Sequence, residues 1–154
     1  MPLDNAILTA SNISKTFGSG AKGVEALRDV SFSVERNELC ILLGPSGCGK
    51  STLLNIVAGL VAPTNGVVCL EDKPIHGPSR ERGMVFQSYT SFPWLTVFEN
   101  VEYGMKLNGV PKAERKERAE KFIELVHLTK FRDAYPKNLS GGMKQRVAIA
   151  RTLA

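Results

Sequence analysis

The residues with the clearest chemical potential occupy positions 44–51, where glycines surround a lysine–serine pair. The segment Gly44–Ser51, GPSGCGKS, fits the pattern G-x-x-x-x-G-K-[ST] at every fixed position. Because glycine has no β-carbon, successive backbone N–H groups can turn toward one concave surface and bind an anion. Lys50 adds a positive charge, and Ser51 adds a hydroxyl that can bind Mg²⁺. The pattern predicts a site for a polyphosphate.

The sequence on either side of this loop has the character that such a site requires. The apolar run Leu39–Leu43 favours a strand buried on both faces. After the loop, apolar residues at helical spacing predict a helix that ends near Gly59, and its positive N-terminal end would strengthen the anion site. A glycine-rich turn that binds nothing would not require a lysine followed by a hydroxyl. Cys48 is interpreted as a small tolerated side chain rather than a redox switch. The predicted contacts to nucleotide and metal are Gly44, Pro45, Ser46, Gly47, Cys48, Gly49, Lys50, Ser51 and Thr52.

Composition places the chain among globular domains rather than disordered or fibrous proteins. It has 154 residues, 20 Lys+Arg against 15 Asp+Glu, and 43% hydrophobic residues. We therefore expect one domain over residues 1–154. Basic residues outnumber acidic ones over 112–154, but they alternate with glutamate, which indicates solvated helix faces and predicts no nucleic-acid partner. Three cysteines without a C-x-x-C pair favour the cytosol, and no apolar run is long enough to cross a bilayer.

The pattern of the remaining chain indicates an α/β fold. Alternating apolar residues on both sides of a turn at Gly18–Gly20 predict an antiparallel β-region, and Val67–Leu70 predicts another strand before a loop at Pro74–Pro78. Helices predominate from Thr96 onward. Thr96 and Glu99 resemble a capping box for a helix that ends near residues 108–109. Pro111 suits the first position of the next helix, and Ser140 suits the N-cap of the last.

A second candidate anion site follows at Leu139–Arg151, LSGGMKQRVAIAR. Ser140 and the amides of Gly141 and Gly142 stand at a predicted helix N-terminus. This stretch resembles the signature sequence of ABC-transporter ATPases. Between it and the phosphate loop, Gln87 follows an apolar segment and resembles the Q-loop glutamine of that family. All three motifs occur in the family's order. Taken alone, the two later motifs each have a structural alternative: Leu139–Met143 could be an ordinary capped helix start, and Gln87 could be a surface residue.

The resemblance implies a P-loop NTPase core with an antiparallel β-subdomain and an α-helical subdomain at about residues 90–135. It implies ATP and Mg²⁺ as cofactors, with Lys50 and Gln87 in catalysis and Ser51 and Gln87 at the metal. Phe17 stands where the family places an aromatic ring against adenine, although packing within its hairpin would equally explain it. Ser140, Gly141 and Gly142 would contact the nucleotide of a second subunit in a head-to-tail dimer.

The segment Ser91–Val97 and the later Tyr135–Pro136 look most like the nitrate, sulfonate and taurine importer branch. That branch implies integral-membrane permease subunits as partners and a peripheral location on the cytoplasmic face of the plasma membrane. An aromatic group after Gln87 could dock a permease loop or could simply pack in the core. Its members are Tyr89, Phe92, Trp94 and Phe98.

The family places a strand ending in Asp-Glu, and later a switch histidine, after its signature. These 154 residues contain neither, since His76 and His127 both precede Ser140. We therefore expect an N-terminal portion of the ATPase domain, ending before the Walker B strand. Two functions stay open: a subunit that hydrolyses ATP in the complete protein, or a module that holds nucleotide without cleaving it. A relative acting on nucleic acid or ribosomes is disfavoured by the lack of a basic tail.

Overall fold

The computed structural model describes residues 5–88 and 90–154. The chain divides into two compact units, Met1–Arg82 and Gly83–Ala154. Tyr89, one of the aromatic residues predicted above as a docking group, lies outside the described residues, as do the first four residues of the chain.

The first unit is built on an antiparallel sheet. Its strands are β1 (Ala6–Phe17), β2 (Val24–Glu35), β3 (Asn65–Leu70) and β4 (Lys73–Pro74), in the spatial order β2-β1-β3-β4. Every neighbouring pair is antiparallel. The predicted β-region is thus confirmed, with its turn over residues 18–23. Pro74, predicted as the start of a loop, instead ends the short strand β4.

One helix of this unit, α1 (Lys50–Val57), follows the phosphate loop directly. Leu53 and Ile56 are its buried residues, and they pack with apolar side chains of the sheet, which fixes the helix against β1 and β2. Burying each contributes about 1.5–3 kcal/mol. The helix ends at Val57, with Ala58 as its C-cap and then Gly59 with a φ of +78°, so the predicted glycine stop is confirmed. The apolar core of the unit comprises Ala10, Ile13, Leu27, Leu53, Ile56 and Val68.

The prediction of a buried strand at Leu39–Leu43 was wrong for this structure. These residues form no strand, and the side chains of Leu39, Ile41 and Leu43 are 83%, 68% and 89% exposed. Only Leu42 packs against the core of the unit. A strand exists only when a neighbour accepts its hydrogen bonds, and none of the strands in the described part of this unit pairs with it.

The second unit is helical. It contains α2 (Val97–Leu107), α3 (Lys112–Leu125) and α4 (Gly141–Leu153), with short 3₁₀ turns at Thr129–Phe131 and Pro136–Asn138. The three helices contact one another around one apolar core. The fully buried members of that core include Val97, Val101, Ala119, Leu128, Val147 and Ala150.

The predicted starts of α2 and α4 are confirmed, and α3 begins one residue later than predicted. Thr96 and Glu99 form both hydrogen bonds of a capping box at α2, and the Ser140 hydroxyl accepts a bond from the Met143 amide at α4. Pro111 is the N-cap of α3 rather than its first residue, because its ψ of 144° is extended and the helix begins at Lys112. None of the helices over 5–88 and 90–154 has the length and apolarity that a membrane span needs.

Candidate functional site

The backbone of the phosphate loop takes conformations that favour glycine. Gly47 has a φ of +82° and Gly49 a φ of +97°, both in the left-handed region. A β-carbon on Gly49 would lie 2.5 Å from the carbonyl oxygen of Ala26 and 2.7 Å from Leu27 Cδ2, because β2 passes directly behind the loop. A β-carbon on Gly47 would meet nothing within 4 Å. Gly49 is therefore required both by its dihedral angle and by the close approach of β2.

Helix α1 starts at this loop without a side-chain cap. Gly49 is its N-cap residue and provides no hydrogen-bonding side chain. The first-turn N–H groups of a helix have no acceptor within the helix itself, and the helix dipole places partial positive charge at the same end. By contrast, Thr96 caps α2 with its hydroxyl. The start of α1 is therefore suited to an anion supplied from outside.

The ammonium group of Lys50 lies over the loop. Its Nζ donates hydrogen bonds to the carbonyl oxygens of Gly44 and Pro45 at 2.7 and 2.6 Å, and lies 3.4 Å from Cys48 Sγ. Phosphate oxygens are stronger acceptors than neutral carbonyls, because a bond between two charged groups is about twice as strong. The loop therefore combines a cation, left-handed glycines and an uncapped helix start, which is the set of groups that fits a polyphosphate.

The described residues could bind Mg²⁺ only together with a phosphate group that supplies further ligands. Ser51 is exposed on the first turn of α1, where its hydroxyl can be one ligand. Over the described ranges, no group of three His, Cys, Asp or Glu side chains could hold a metal ion. Mg²⁺ prefers six oxygen ligands and commonly takes several of them from substrate phosphates and water. Ser51 could therefore bind Mg²⁺ beside a bound phosphate.

Phe17 lies at the end of β1, in the same unit as the phosphate loop. Its ring is 45% exposed, and Lys15 Nζ lies 5.1 Å from the ring centroid. Lys15 Nζ is itself held by the carbonyl oxygen of Ala62 at 2.8 Å. An exposed aromatic face can stack on a base. The contact of Phe17 with adenine stays a prediction.

The signature residues lie in the second unit at the start of α4. Ser140 is exposed, and its Oγ is 3.4 Å from the Met143 amide. A β-carbon on Gly142 would meet nothing within 4 Å, so this end of the helix is open to solvent. Met143 packs partly against the core of the unit. Their role toward a nucleotide is not tested by this geometry and stays a prediction.

Gln87 also lies in the second unit and is exposed at a bend of the chain. The segment that follows it is held by two residues that sequence reasoning missed. Arg151 donates hydrogen bonds to the carbonyl oxygen and the hydroxyl of Thr90, at 2.7 and 2.9 Å. Asn100 is fully buried, and it accepts from the Phe92 amide at 2.7 Å. The signal that could have revealed Asn100 is its polar side chain within the apolar stripe of α2.

The aromatic group after Gln87 divides into exposed and packed members. Trp94 is 68% exposed, and its ring centroid lies 5.5 Å from that of Phe92. Phe92 also contacts Tyr103 of α2, at 4.6 Å between centroids. Phe98 instead packs against the core and under the guanidinium of Arg132. Core packing therefore explains Phe98, whereas Trp94 is available to a partner.

Residues 27–154 match the protein family described as ABC transporter. The chain is 54% identical over 147 residues to an uncharacterized ABC transporter ATP-binding protein of Methanocaldococcus jannaschii, and that match covers 96% of this chain and 55% of the relative. It is 46% identical, with the same coverage, to a nitrate import ATP-binding protein of Synechocystis. It is 47% identical over 148 residues to a taurine import ATP-binding protein of Jannaschia, covering 96% and 55% of the two chains. The chain thus spans just over half the length of these curated relatives.

Two solved structures share its fold. A dimeric bacterial ABC transporter cassette matches with a TM-score of 0.86 at 35% identity, over 96% of this chain and 69% of that one. A dimeric ATP-binding cassette in a post-hydrolysis state, bound to ADP and phosphate, matches with a TM-score of 0.83 at 35% identity and the same coverage.

Proposed function

Because this chain belongs to the ABC transporter family as an ATP-binding subunit, we propose that its phosphate loop binds the triphosphate of Mg-ATP. The observation that carries the proposal is the position of Lys50 Nζ, hydrogen-bonded to the carbonyls of Gly44 and Pro45 above the uncapped start of α1. On phosphate binding, Lys50 exchanges these carbonyls for phosphate oxygens. Ser51 supplies a hydroxyl to the accompanying Mg²⁺.

Two further groups complete the nucleotide site in this proposal. Phe17 offers an exposed ring face to the adenine, where stacking contributes about 1–3 kcal/mol by analogy with bases on aromatic platforms. Gln87 contacts the Mg²⁺ or the attacking water and, with Lys50, belongs to the catalytic set. The ADP and phosphate in one solved relative support a nucleotide ligand.

The signature residues act across a dimer in this proposal. Ser140, Gly141 and Gly142 lie at the start of α4, in a different unit of the chain from the phosphate loop. We propose that they contact the nucleotide held by the phosphate loop of a second ATP-binding subunit, arranged head to tail. The dimeric state of both solved relatives supports this arrangement.

The complete protein, in this proposal, couples ATP binding and hydrolysis to import through integral-membrane permease subunits. The nitrate and taurine importer names of relatives at 46–47% identity support a small oxyanion or sulfonate as the solute. Permease contact would place the subunit peripherally on the cytoplasmic face of the membrane. The exposed indole of Trp94, which follows Gln87 closely, is the surface we assign to the permease.

A second candidate is a module that holds nucleotide without cleaving it. Lys50, Ser51 and Gln87, the groups assigned to catalysis and metal, include no carboxylate, whereas phosphoryl transfer uses an acidic residue on Mg²⁺. Phosphate release by this chain above that of the Lys50→Ala variant would exclude the second candidate.

Thermal unfolding with and without Mg-ATP tests the proposal. Nucleotide at about 100 times its dissociation constant should stabilise the fold by about 2.7 kcal/mol. Lys50→Ala should lose most of this stabilisation, because it removes the cation that binds the phosphates. Lys22→Ala, at an exposed lysine of the β1–β2 turn, is the matched control and should keep it. An equal response of the wild type and Lys50→Ala to Mg-ATP would contradict the proposed site.

A further inference from the structure

Arg151 makes an unusual set of contacts for a residue near the end of a helix. Its guanidinium donates to the carbonyl oxygen of Thr90 at 2.7 Å and to the Thr90 hydroxyl at 2.9 Å. The central carbon of the guanidinium, Cζ, also lies 5.2 Å from the centroid of the Phe92 ring. The group is partly desolvated, and this burial lowers the pKa of Arg151. A two-bond contact from a planar guanidinium fixes orientation as well as distance.

These contacts join two parts of the proposed site. Thr90 is the third residue after Gln87, and Arg151 lies on α4, the helix that Ser140 starts. Arg151 thus holds the segment after Gln87 to the same helix whose first turn is the candidate anion site. A movement of either part is resisted by the hydrogen bonds to Thr90.

The other end of this segment is held independently by Asn100. Its Nδ2 donates to the carbonyl oxygens of Phe92, Leu95 and Thr96 at 3.1, 3.0 and 2.9 Å. Its Oδ1 accepts from the Phe92 amide at 2.7 Å. Residues 92–96 are therefore anchored to α2, and Arg151 anchors residue 90 to α4. Among these contacts, the Arg151 bonds lie closest in sequence to Gln87.

A purely structural arginine of the same helix provides a comparison. Arg146 donates to the carbonyl oxygen of Val126, at the end of α3, at 3.0 Å. It is half-buried like Arg151, and it too binds a backbone carbonyl. This hydrogen bond, however, lies outside the segment after Gln87. Replacing either arginine by lysine keeps the charge and loses the planar fork.

We propose that Arg151 is a positioning residue that fixes the segment carrying Gln87 against α4, and that it thereby sets the Mg²⁺-dependent part of ATP affinity. This inference rests on the proposed function, in which Gln87 meets the Mg²⁺ of the nucleotide. Arg151 itself touches neither nucleotide nor metal in this scheme. Its effect passes through Gln87.

The test compares ATP affinity in magnesium buffer with ATP affinity in EDTA. The ratio of the two affinities, here called the magnesium gain, is measured for the wild type, Arg151→Lys, Gln87→Ala and the double variant. Arg146→Lys is the matched control. Hydrogen exchange of the backbone amides of Thr90 and Ser91, without nucleotide, is measured on the same proteins.

We expect Arg151→Lys to reduce the magnesium gain by about threefold to tenfold, which lies within the range by which residues between two coupled groups alter their coupling. Its affinity for ATP in EDTA should stay close to that of the wild type, which a merely structural defect would not leave unchanged. Gln87→Ala should show a similar loss, and the double variant should lose no more than either single variant. The amides of Thr90 and Ser91 should exchange faster in Arg151→Lys, because the Arg151 bonds hold residue 90, and Arg146→Lys should match the wild type in both measurements.

An unchanged magnesium gain in Arg151→Lys overturns the inference. An equal loss of magnesium gain in Arg151→Lys and Arg146→Lys also overturns it. Additive losses in the double variant also overturn it, because the effect would then not pass through Gln87. Failure of the wild type to bind ATP in either buffer would be a failure of the proposed function, and the magnesium part of this inference would fall with it. Hydrogen exchange then tests separately whether Arg151 holds the segment after Gln87. Equal exchange in Arg151→Lys and the wild type would show that it does not.

Discussion

At the scale of single residues, the phosphate loop depends on one glycine more than on the others. Gly49 combines a φ of +97° with a β2 backbone so close that a β-carbon would overlap the Ala26 carbonyl. Gly47 has a similar positive φ but open space around it. The two positions therefore separate the cost of the dihedral angle from the cost of crowding.

We expect Gly49→Ala to lower the free energy of unfolding by about 3 kcal/mol, since left-handed backbone costs an alanine about 1–2 kcal/mol and overpacking adds about 1–3. Gly47→Ala should lose only about 1 kcal/mol, because it carries the dihedral cost alone. Urea unfolding followed by circular dichroism measures both. Equal losses in the two variants would show that β2 does not crowd Gly49.

The chemistry of single residues was predictable where it lies in a contiguous pattern. Lys50 and Ser51 follow from eight consecutive positions of one motif. Arg151 was not predictable in this way, because its partner Thr90 lies 61 positions away in sequence and only folding brings the two together. A pattern within the chain reports local geometry, whereas such a contact depends on how α4 packs.

At the scale of elements, the helix starts illustrate how local chemistry determines a boundary. Thr96 and Glu99 satisfy two backbone N–H groups at the start of α2, and the sequence predicted this from a spacing of three residues. The strand at Leu39–Leu43 could not be judged in the same way, because a strand also needs a neighbour that is distant in sequence. Helices are local in their hydrogen bonds and were predicted better for that reason.

The capping box should make the second unit sensitive to acid. Hydrogen bonds from the Thr96 amide and hydroxyl lower the pKa of Glu99 below its ordinary value of about 4.3. The folded state therefore holds fewer protons on Glu99 than the unfolded state does. The ionised Glu99 therefore adds to the free energy of unfolding. This stabilisation is complete when the pH is above the ordinary pKa, and it is lost as the pH falls through the lower pKa of the folded state.

We expect Glu99→Gln to be less stable than the wild type near pH 7, with a difference that shrinks as the pH falls from about 6 to about 3. Unfolding by urea at a series of pH values, followed through the fluorescence of Trp94, measures this. Glu117→Gln, at an exposed glutamate of α3, removes the same charge outside any capping box. A pH-independent difference for Glu99→Gln, or an equal pH dependence in the control, would contradict the assignment.

At the scale of the whole molecule, the exposed run over residues 39–43 is the most conspicuous surface feature of the first unit. Leu39, Ile41 and Leu43 are mostly exposed in a stretch without regular secondary structure just before the phosphate loop. Contiguous exposed apolar surface promotes association, and backbone outside the described sheet adds N–H and C=O groups that another chain could bind.

We expect the chain to self-associate with increasing concentration, and the double variant Leu39→Lys/Leu43→Lys to do so less. Sedimentation velocity over a range of concentrations measures the change. Leu107→Lys, at a 70% exposed leucine that ends α2, is the control for adding charge at an isolated site. Unchanged association in the double variant, or an equal reduction in the control, would show that this run is not the contact surface.

The most direct test of the account is a calorimetric titration of Mg-ATP into the folded wild-type protein. We expect saturable binding of about one nucleotide per chain, because the chain has a single phosphate loop. Inorganic tripolyphosphate should compete for the same site, because the loop is proposed to bind phosphates. Absence of binding heat from a folded sample, or ATP binding that excess tripolyphosphate does not weaken, would contradict it.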